Sequence, residues 1–478
     1  MMRRKVLSSG LIVGMVGAYS VLCSFARNVV IARMIGPAEF GVAVMLATIA
    51  SAIDILSDMG WDKFLIQNPQ GHRPEALAVV HLLKLLSGAV FAVLILLLAP
   101  LIAQGIEKPG AALPLALLSI PALFRATMSV DYRRRQRDFD FKGEAWVEVS
   151  RYSADLLVAV VVGLIFKSYW AMFFAILAGG VVSCAVSHIL ATTPYRLTWH
   201  PMIGATALAF GGPLFANNLI VYGAGQGDRL LVGLGLDLQM LAIYAATLTL
   251  VAGGQVVISR LIISVGLPYL AARRNSDDVY KVAFLRTGTA VMIAALLLLV
   301  PVTLIGVDVV ALFFGSRFRP PDSLVIAVAL AQAFNIVRVW PTVGQMACGA
   351  TNTIPLANMV RLAGLALAMG AVILNQNIVI VAYCIVAGEI AGAISALTWH
   401  HRVCAGAGWP VIARMIGFAA AIMAVLAIEA VIPYSPLLRL SIAVAGPLII
   451  MLVAAIAVHE PLRGTFARIA GGIRPNIH

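Results

Sequence analysis

The chain has 478 residues, of which 61% are hydrophobic and 12% are charged, and its formal net charge is +13. Soluble domains carry about 25% charged residues, and no polar stretch here is long enough to form one. Apolar segments of about 20 residues instead recur along the whole length, which predicts an all-helical polytopic membrane protein. The five cysteines are scattered and odd in number, so they indicate neither a disulfide framework nor a metal site.

The hydropathy pattern predicts fourteen transmembrane spans, numbered 1 to 14 in chain order. They cover residues 9–33, 38–60, 76–103, 111–132, 144–166, 169–192, 205–230, 239–265, 282–306, 322–342, 354–374, 377–400, 410–431 and 437–458. Turn residues such as Gly36-Pro37 and Pro109-Gly110 separate them. The first run is not interpreted as a signal peptide, because it contains Arg27 and Arg33 and no cleavage-like site precedes them.

The distribution of basic residues predicts the orientation. An even number of spans places both termini on one side, and the loops on that side hold 18 Lys and Arg residues against 6 on the other. Basic loops face the cytoplasm, so both termini are predicted to be cytoplasmic. The seven tryptophans fall at predicted span ends or in short loops, as in an aromatic belt. The positive charge is therefore mostly topological, and the basic loop "DYRRRQRDF" does not require a nucleic-acid partner.

A weak internal repeat relates two stretches that lie 201 residues apart. "ARMIGPAEFGVAVMLATI" from Ala32 aligns with "GLGLDLQMLAIYAATLTL" from Gly233, and each combines a helix end, a short turn and a helix rich in small residues. Six spans separate the copies, so the halves share an orientation, as in transporters with a central site between two lobes. We predict an N-lobe of spans 1–6 at 1–200, a C-lobe of spans 7–12 at 201–402, and spans 13 and 14 with a cytoplasmic tail at 403–478.

Span 5 carries four charged residues on one stripe. The residues are spaced by 4, 3 and 4 positions, which places them within about 60° of each other on a helix: Glu144, Glu148, Arg151 and Asp155. Other spans of the predicted N-lobe add charged or titratable groups in their cytoplasmic halves: Asp54, Asp58, His81, Lys84 and Arg125. Two interpretations stay open. The charges form an ion-pair network that holds the lobe together, with Arg151 neutralised by its helix neighbours, or part of them forms a relay for protons or cations.

The predicted C-lobe has an excess of cations. Four arginines lie in the cytoplasmic halves of its spans, at Arg260, Arg286, Arg338 and Arg361, and Glu389 is the only obvious partner. One interpretation is that the arginines near span ends extend their charged groups to the interface. The other is that some of them line the inward mouth of a cavity and attract an anion. Arg361 lies deeper than the other three.

Arg27 lies inside span 1, six residues from Arg33 and therefore about 9 Å further from the periplasmic end. An arginine in hydrocarbon costs roughly 3 kcal/mol on insertion scales. Residues 23, 24, 30 and 31, its neighbours on the helix, include no acid. The guanidinium therefore needs water, an acid on another helix or a bound anion.

Four segments together resemble the polysaccharide and lipid II flippases of the multidrug/oligosaccharidyl-lipid/polysaccharide exporter (MOP) superfamily. They are "FARNVVIARMIGPAEFG" in span 1, "DMGWDKFLIQ" at the end of span 2, "VVISRLIISVGLPYLA" in span 8 and "ACGATNTIPLANMVRLAG" in the turn into span 11. Their order and spacing carry the resemblance, which extends over nearly the whole chain. It implies two six-helix bundles around a central cavity, with spans 13 and 14 outside.

The resemblance also implies a function. It indicates a flippase of the bacterial inner membrane, which moves undecaprenyl-pyrophosphate-linked oligosaccharide units to the periplasmic leaflet for exopolysaccharide, capsule or O-antigen synthesis. Arg27, at the matched position, would hold the pyrophosphate, and the C-lobe arginines would gather it. No cofactor, metal or catalytic residue is expected, and coupling to protons, sodium ions or the membrane potential is open. Membrane lipids, a polysaccharide polymerase and chain-length or export proteins are the expected partners.

Three alternatives are weighed against this prediction. Lipid II flippases of the superfamily typically carry a cavity arginine in span 8, and this position aligns with Thr249 here, which disfavours lipid II. A cation-coupled drug exporter of the same superfamily would depend on cavity acids. A membrane glycosyltransferase or polymerase would need a large periplasmic or catalytic loop, whereas the longest outer loop spans about ten to fifteen residues around 315–323.

Overall fold

The structure is a computed structural model that describes residues 2–404, 408–431 and 439–447. Regular structure in these ranges is helical, with no strand. The α-helices are α1 (Met2–Met34), α2 (Pro37–Ser57), α3 (Trp61–Gln67), α4 (Pro74–Gly105), α5 (Ala112–Leu117), α6 (Ser119–Ala126), α7 (Asp131–Arg134), α8 (Lys142–Phe166), α9 (Trp170–Ile189), α10 (Pro201–Gly235), α11 (Leu238–Ala271), α12 (Asp277–Phe314), α13 (Asp322–Ala347), α14 (Ile354–Ile373), α15 (Ile378–Val403) and α16 (Trp409–Val431).

Thirteen segments of the described chain are long and apolar enough to cross a membrane. They coincide with predicted spans 1–13, which confirms a multi-pass membrane protein of the predicted class. Span 14 is helical at 439–447. The rest of span 14 and the predicted cytoplasmic tail lie outside the described residues.

Two predicted spans are interrupted for local reasons. Span 2 ends as a helix at Ser57, and the chain turns through Gly60, whose φ of 76° lies in the left-handed region that glycine adopts without steric cost. Span 4 consists of the short helices α5 and α6. Pro121 has no N–H to donate to the carbonyl of Leu117, the last residue of α5, so the helical hydrogen-bond pattern is interrupted there.

The helices of spans 7–9 extend further than predicted. The longest, α12, has 38 residues, which corresponds to about 57 Å at 1.5 Å per residue. The hydrocarbon core of a bilayer is only about 30 Å thick. These helices therefore continue beyond the apolar runs from which the spans were predicted.

The chain forms two compact units that are not contiguous in sequence. Unit 1 comprises Met1–Gly253, Val310–Pro320 and Asn358–Gly388. Unit 2 comprises Gly254–Val309, Pro321–Ala357 and Glu389–His478. The division into lobes at residues 200 and 402 remains a prediction.

The two copies of the weak repeat have the same local structure within unit 1. Helix α1 ends at Met34 and α2 begins at Pro37, while α10 ends at Gly235 and α11 begins at Leu238, 201 residues later in both cases. The two junctions also meet. A Cβ added to Gly41 would lie 2.9 Å from the Cβ of Leu238, closer than real Cβ contacts, so only glycine permits this approach.

Contacts between loops agree with the predicted alternation of sides. At one end of unit 1, Arg134 of the 127–141 loop donates to the carbonyl of His72 and to the hydroxyl of Thr193, which belong to the loops after spans 2 and 6. At the other end, Glu39 pairs with Lys108 at 3.3 Å and accepts from the backbone of Tyr169 at 3.5 Å. Which end faces the cytoplasm remains a prediction.

Candidate functional site

Unit 1 contains a polar cavity of about 180 Å³. Helices α2, α3, α4, α6 and α8 and the loop before α8 line it with four acidic side chains, which are Asp54, Asp58, Asp62 and Glu148, and four basic ones, which are Lys84, Arg125, Arg133 and Arg151. The charges are equal in number. The cavity therefore brings together most of the charged residues singled out from the sequence of the predicted N-lobe.

Asp54 of α2 neutralises two arginines of this cavity. Its Oδ2 forms a close ion pair with Nη1 of Arg125 on α6 and lies 3.7 Å from Nη2 of Arg151 on α8. The three side chains are between 17% and 28% exposed. Asp54 thus links three helices through one carboxylate.

Asp62 of α3 is a second centre that was not singled out from the sequence. Its carboxylate lies 3.7 Å from Nζ of Lys84 and 3.2 Å from Nε of Arg133. Arg133 also pairs with Glu144 at 2.5 Å. Because Asp62 follows the turn at Gly60, helical spacing from span 2 did not place it with these partners.

The pairing within span 5 differs from the expected pattern. Arg151 was expected to be neutralised by Glu148 and Asp155 along its own helix, but it pairs with Asp54 on α2, and Asp155 pairs with Arg27 on α1. Within the described residues Glu148 has no ion-pair partner within 4 Å. Three of the four charged residues on this face of α8, Glu144, Arg151 and Asp155, thus pair with side chains of other helices and not with each other.

Arg27 is paired with an acid of another helix. Its Nη1 donates to Oδ2 of Asp155 at 2.6 Å, and the two side chains are 14% and 9% exposed. Its Nε and Nη2 lie 3.4 Å and 3.3 Å from Oδ1 of Asn28. Of the options left open by the sequence, the structure shows the acid on another helix, and the anion-binding role of Arg27 remains a prediction.

The basic loop between α6 and α8 is fixed by its own contacts. Asp131, whose side chain is fully buried, accepts hydrogen bonds from the backbone and hydroxyl of Thr192 and pairs with Arg134 at 2.6 Å. Burial alone would raise the pKa of Asp131, but the Thr192 hydrogen bonds and the charge of Arg134 outweigh it and keep this pKa below its ordinary value. Arg137 donates to the carbonyl of Leu65 at 2.9 Å. These arginines hold loops together.

In unit 2, Glu389 of α15 is the centre of a buried polar chain. Its Oε2 lies 3.6 Å from Nε of Arg338 on α13, and its Oε1 accepts from Nδ2 of Asn335 at 3.3 Å. The Nε2 of Gln255 on α11 donates to Oδ1 of Asn335 and to Oγ of Ser259, both at 2.9 Å. Arg338 is thus held by the acid that the sequence identified as its available partner.

The other predicted C-lobe arginines have different surroundings. Arg260 of α11 and Arg286 of α12, in unit 2, are exposed. Arg361 of α14 belongs to unit 1, where its Nη2 donates to the carbonyl of Ala224 on α10 at 3.2 Å. The hydroxyl of Thr249 donates to the carbonyl of Ala245 at 2.6 Å, so this position offers no cation.

Residues 30–321 match a family described as polysaccharide biosynthesis protein. A search of curated proteins finds no match. Among solved structures, the chain is similar to the lipid II flippase MurJ in an inward closed conformation, with 13% identity over 94% of this chain and 99% of that chain and a TM-score of 0.73.

Two further structures are similar. One is an inward-facing multidrug resistance MATE family transporter of the MOP superfamily, with 15% identity over 80% of this chain and 94% of that chain and a TM-score of 0.64. The other is a MOP superfamily transporter from Pyrococcus furiosus, with 16% identity over 82% and 94% and a TM-score of 0.54. At these identities the similarity concerns the fold, and it confirms the predicted fold class.

Proposed function

Because the chain belongs to the polysaccharide biosynthesis protein family, we propose that it is a flippase for lipid-linked oligosaccharides. It moves undecaprenyl-pyrophosphate-linked repeat units from the cytoplasmic to the periplasmic leaflet of a bacterial inner membrane, by alternating access of two lobes. The units serve exopolysaccharide, capsule or O-antigen synthesis. The observation that carries the proposal is the family match over residues 30–321, on a fold shared with transporters.

The charges inside the spans support an anionic headgroup. A guanidinium donates two parallel hydrogen bonds to a phosphate, and the planar fork makes arginine better suited than lysine to a diphosphate. Arg27 is a largely buried guanidinium within a membrane-spanning helix, and one acid holds it. The second candidate for binding the pyrophosphate in unit 1 is Arg361. The candidates in unit 2 are Arg260, Arg286 and Arg338. In this proposal Arg27 holds the pyrophosphate and the others gather it.

The position of Thr249 favours an oligosaccharide carrier over lipid II. The lipid II flippases that the sequence resembles typically carry an arginine at the aligned position, whereas the Thr249 hydroxyl donates a hydrogen bond within its own helix. The prenyl tail stays in the lipid, and both termini face the cytoplasm. A polymerase and chain-length or export proteins would take the flipped units.

A second candidate function is a cation-coupled exporter of small molecules. The observation that favours it is that two acids of the unit 1 cavity, Asp58 and Glu148, have no ion-pair partner within 4 Å among the described residues. Acids in a polar cavity within the membrane are typical of proton or sodium pathways. In the flippase proposed above, Asp58 and Glu148 would have the corresponding role and would couple the movement of the oligosaccharide to that of an ion.

The test is deletion of the protein in its host, with isolation of the lipid-linked oligosaccharides on each face of the inner membrane. We expect complete repeat units to accumulate on the cytoplasmic face, and polysaccharide to return when the wild type is supplied. Arg27→Lys should restore only part of the polysaccharide, because an ammonium retains the charge but loses the fork. A deletion strain with normal polysaccharide and increased sensitivity to drugs would instead favour the exporter, and Glu148→Gln would then abolish drug resistance.

A further inference from the structure

The ion pair between Arg27 and Asp155 satisfies only half of the carboxylate. Oδ2 accepts from Nη1 of Arg27 at 2.6 Å, while Oδ1 is buried and has no hydrogen-bond partner within the described chain. On the other side of the pair, one of the two terminal nitrogens of the guanidinium is committed to Asp155. The Nη1 hydrogen that Asp155 accepts becomes available to a diphosphate only when this bond opens, while Nε and Nη2 lie on Oδ1 of Asn28.

The other cations near Asp155 are already held by a different acid. Besides Arg27 on α1, two cations lie near Asp155: Arg151, four residues earlier on its own helix, and Arg125 on α6, whose charge interacts with that of Asp155. Arg125 and Arg151 are both held by Asp54. Helix α9 approaches Asp155 with Gly179, where an added Cβ would lie 3.6 Å from the Cβ of Asp155. If Arg27 turns away, the carboxylate loses the ion pair that it makes within the described residues.

We infer that a diphosphate bound to Arg27 opens this ion pair and that Asp155 then takes up one proton from water. The inference rests on the proposed function, because it assumes a diphosphate headgroup. The hydrogen bond from Nη1 to Oδ2 breaks, the guanidinium stays protonated and donates to the diphosphate, and the carboxylate becomes a neutral acid. A buried carboxylate without a cation is strongly disfavoured, and protonation is the accessible way to remove its charge.

This exchange makes Asp155 a coupling residue. Without substrate, the charges of Arg27 and Asp155 cancel. With the diphosphate bound and Asp155 protonated, the positive charge of Arg27 cancels one negative charge of the headgroup. Each headgroup that binds is accompanied by one proton, so the affinity of the site depends on pH. By linkage, uptake of one proton lowers the association constant tenfold for each unit by which pH rises.

The experiment is isothermal titration calorimetry of the full-length protein in lipid nanodiscs with geranylgeranyl diphosphate, between pH 7.5 and 8.5. The headgroup is then nearly fully ionised, because the second ionisation of a phosphate has a pKa of about 6. Buffers with different ionisation enthalpies report the number of protons taken up. For the wild type we expect one proton per bound diphosphate and an affinity that falls about tenfold over this pH interval.

Two variants locate the proton. Asp155→Asn should bind without proton uptake, with an affinity that does not change with pH and exceeds that of the wild type, because nothing competes for Arg27. Glu39→Gln removes an acid that is also paired with a cation, Lys108, and should retain the wild-type uptake. Infrared difference spectra of the wild type give a readout that needs no variant, since the carbonyl band of a protonated carboxylic acid should appear on binding.

The outcomes separate the inference from the proposed function. Diphosphate binding by the wild type without proton uptake, or without the infrared band, would overturn the inference and leave the flippase proposal standing. Proton uptake that persists in Asp155→Asn would also overturn it, because another group would then take up the proton. Failure of the wild type to bind any prenyl diphosphate would remove both.

Discussion

Arg27 of α1 and Asp155 of α8 are 128 residues apart in sequence, and their side chains meet at 2.6 Å inside the membrane-spanning part of unit 1. The pair gives Arg27 two roles that a single substitution cannot separate. It neutralises a buried acid, and in the proposed function it is the ligand of the substrate. A cycle of single and double variants can separate them.

We predict that Arg27→Ala lowers the stability of the protein by about 3–5 kcal/mol, the usual cost of removing one partner of a buried ion pair. Asp155 then remains buried without a cation. The double variant Arg27→Gln with Asp155→Asn should recover most of that loss, because two neutral amides replace two charges of similar size. The measurement is thermal unfolding in detergent, together with the amount of protein in the membrane.

Transport by the double variant decides the role of Arg27. If the guanidinium binds the substrate, the double variant is stable and polysaccharide production fails. If Arg27 only balances Asp155, production returns with stability. A double variant as unstable as Arg27→Ala would contradict the ion-pair explanation itself.

A second prediction concerns Asp54, which holds both Arg125 and Arg151. Asp54→Asn leaves two neighbouring cations without their shared acid, and we expect a loss of about 3 kcal/mol or more. Arg151→Ala should be milder, because Asp54 retains Arg125. Glu148→Gln is the matched control in the same cavity and should leave unfolding within about 0.5 kcal/mol of the wild type.

The test is the order of stability, measured by thermal unfolding, which we expect to fall from Glu148→Gln through Arg151→Ala to Asp54→Asn. Equal stability of Asp54→Asn and Glu148→Gln would show that Asp54 is not the centre of the network. If Glu148→Gln is fully stable but inactive, an ion relay through the cavity gains support.

The sequence could predict where the helices lie and which residues share one face of a helix, but it could not predict which side chains on different helices form ion pairs. Hydropathy predicted fourteen spans, and thirteen of them coincide with membrane-length segments of the described chain, because about 20 apolar residues are needed to cross a bilayer and this constraint is local. The charged stripe on α8 was also local, since it follows from 3.6 residues per turn. The pairing of Asp155 with Arg27 depends on how α1 packs against α8, which no spacing within one span encodes.

The same limit explains what was missed in the polar cavity. Asp62 follows a turn at Gly60, so its position relative to Lys84 depends on a backbone angle and on the packing of α3. Arg133 was counted as a loop charge that sets topology, whereas it also bridges Asp62 and Glu144. Topology rules count a loop arginine without specifying where its side chain binds.

A third prediction uses pH at Asp131, outside the membrane-spanning segments. Its pKa lies below the ordinary value of 3.8, so its ionised form stabilises the folded state. This contribution is fully present above pH 3.8 and is lost as pH falls through the lowered pKa. Asp131→Asn should therefore unfold at a lower temperature than the wild type by an amount equivalent to about 2 kcal/mol. The gap should be constant from pH 8 to 5 and shrink below pH 4.

Scanning fluorimetry at several pH values can follow that gap. Asp138→Asn, in the same loop and in none of the loop's ion pairs, is the control. It should match the wild type at each pH. A gap between Asp131→Asn and the wild type that widens as pH falls would contradict the assignment of the stabilising form.

The last prediction concerns the meeting of the two repeat copies at Gly41 and Leu238. We expect Gly41→Ser to destabilise the described arrangement by about 1–3 kcal/mol, because the added Cβ overlaps the backbone at the start of α11. Gly36→Ser is the matched control five residues earlier. A Cβ there would have no neighbour within 4 Å, its φ of −73° suits any residue, and serine is a favourable helix N-cap.

Thermal unfolding of the two variants tests the contact, and cysteine labelling of the α10–α11 turn tests its consequence. The label reacts with a cysteine introduced by Asp237→Cys in each background. If this close approach holds the turn against α2, that cysteine should react faster in the Gly41→Ser background than in the wild type, and no faster in the Gly36→Ser background. Since both variants carry the same side chain, a difference between them can only come from position. Equal labelling and equal unfolding temperatures would mean that the two junctions do not depend on the glycine to stay together.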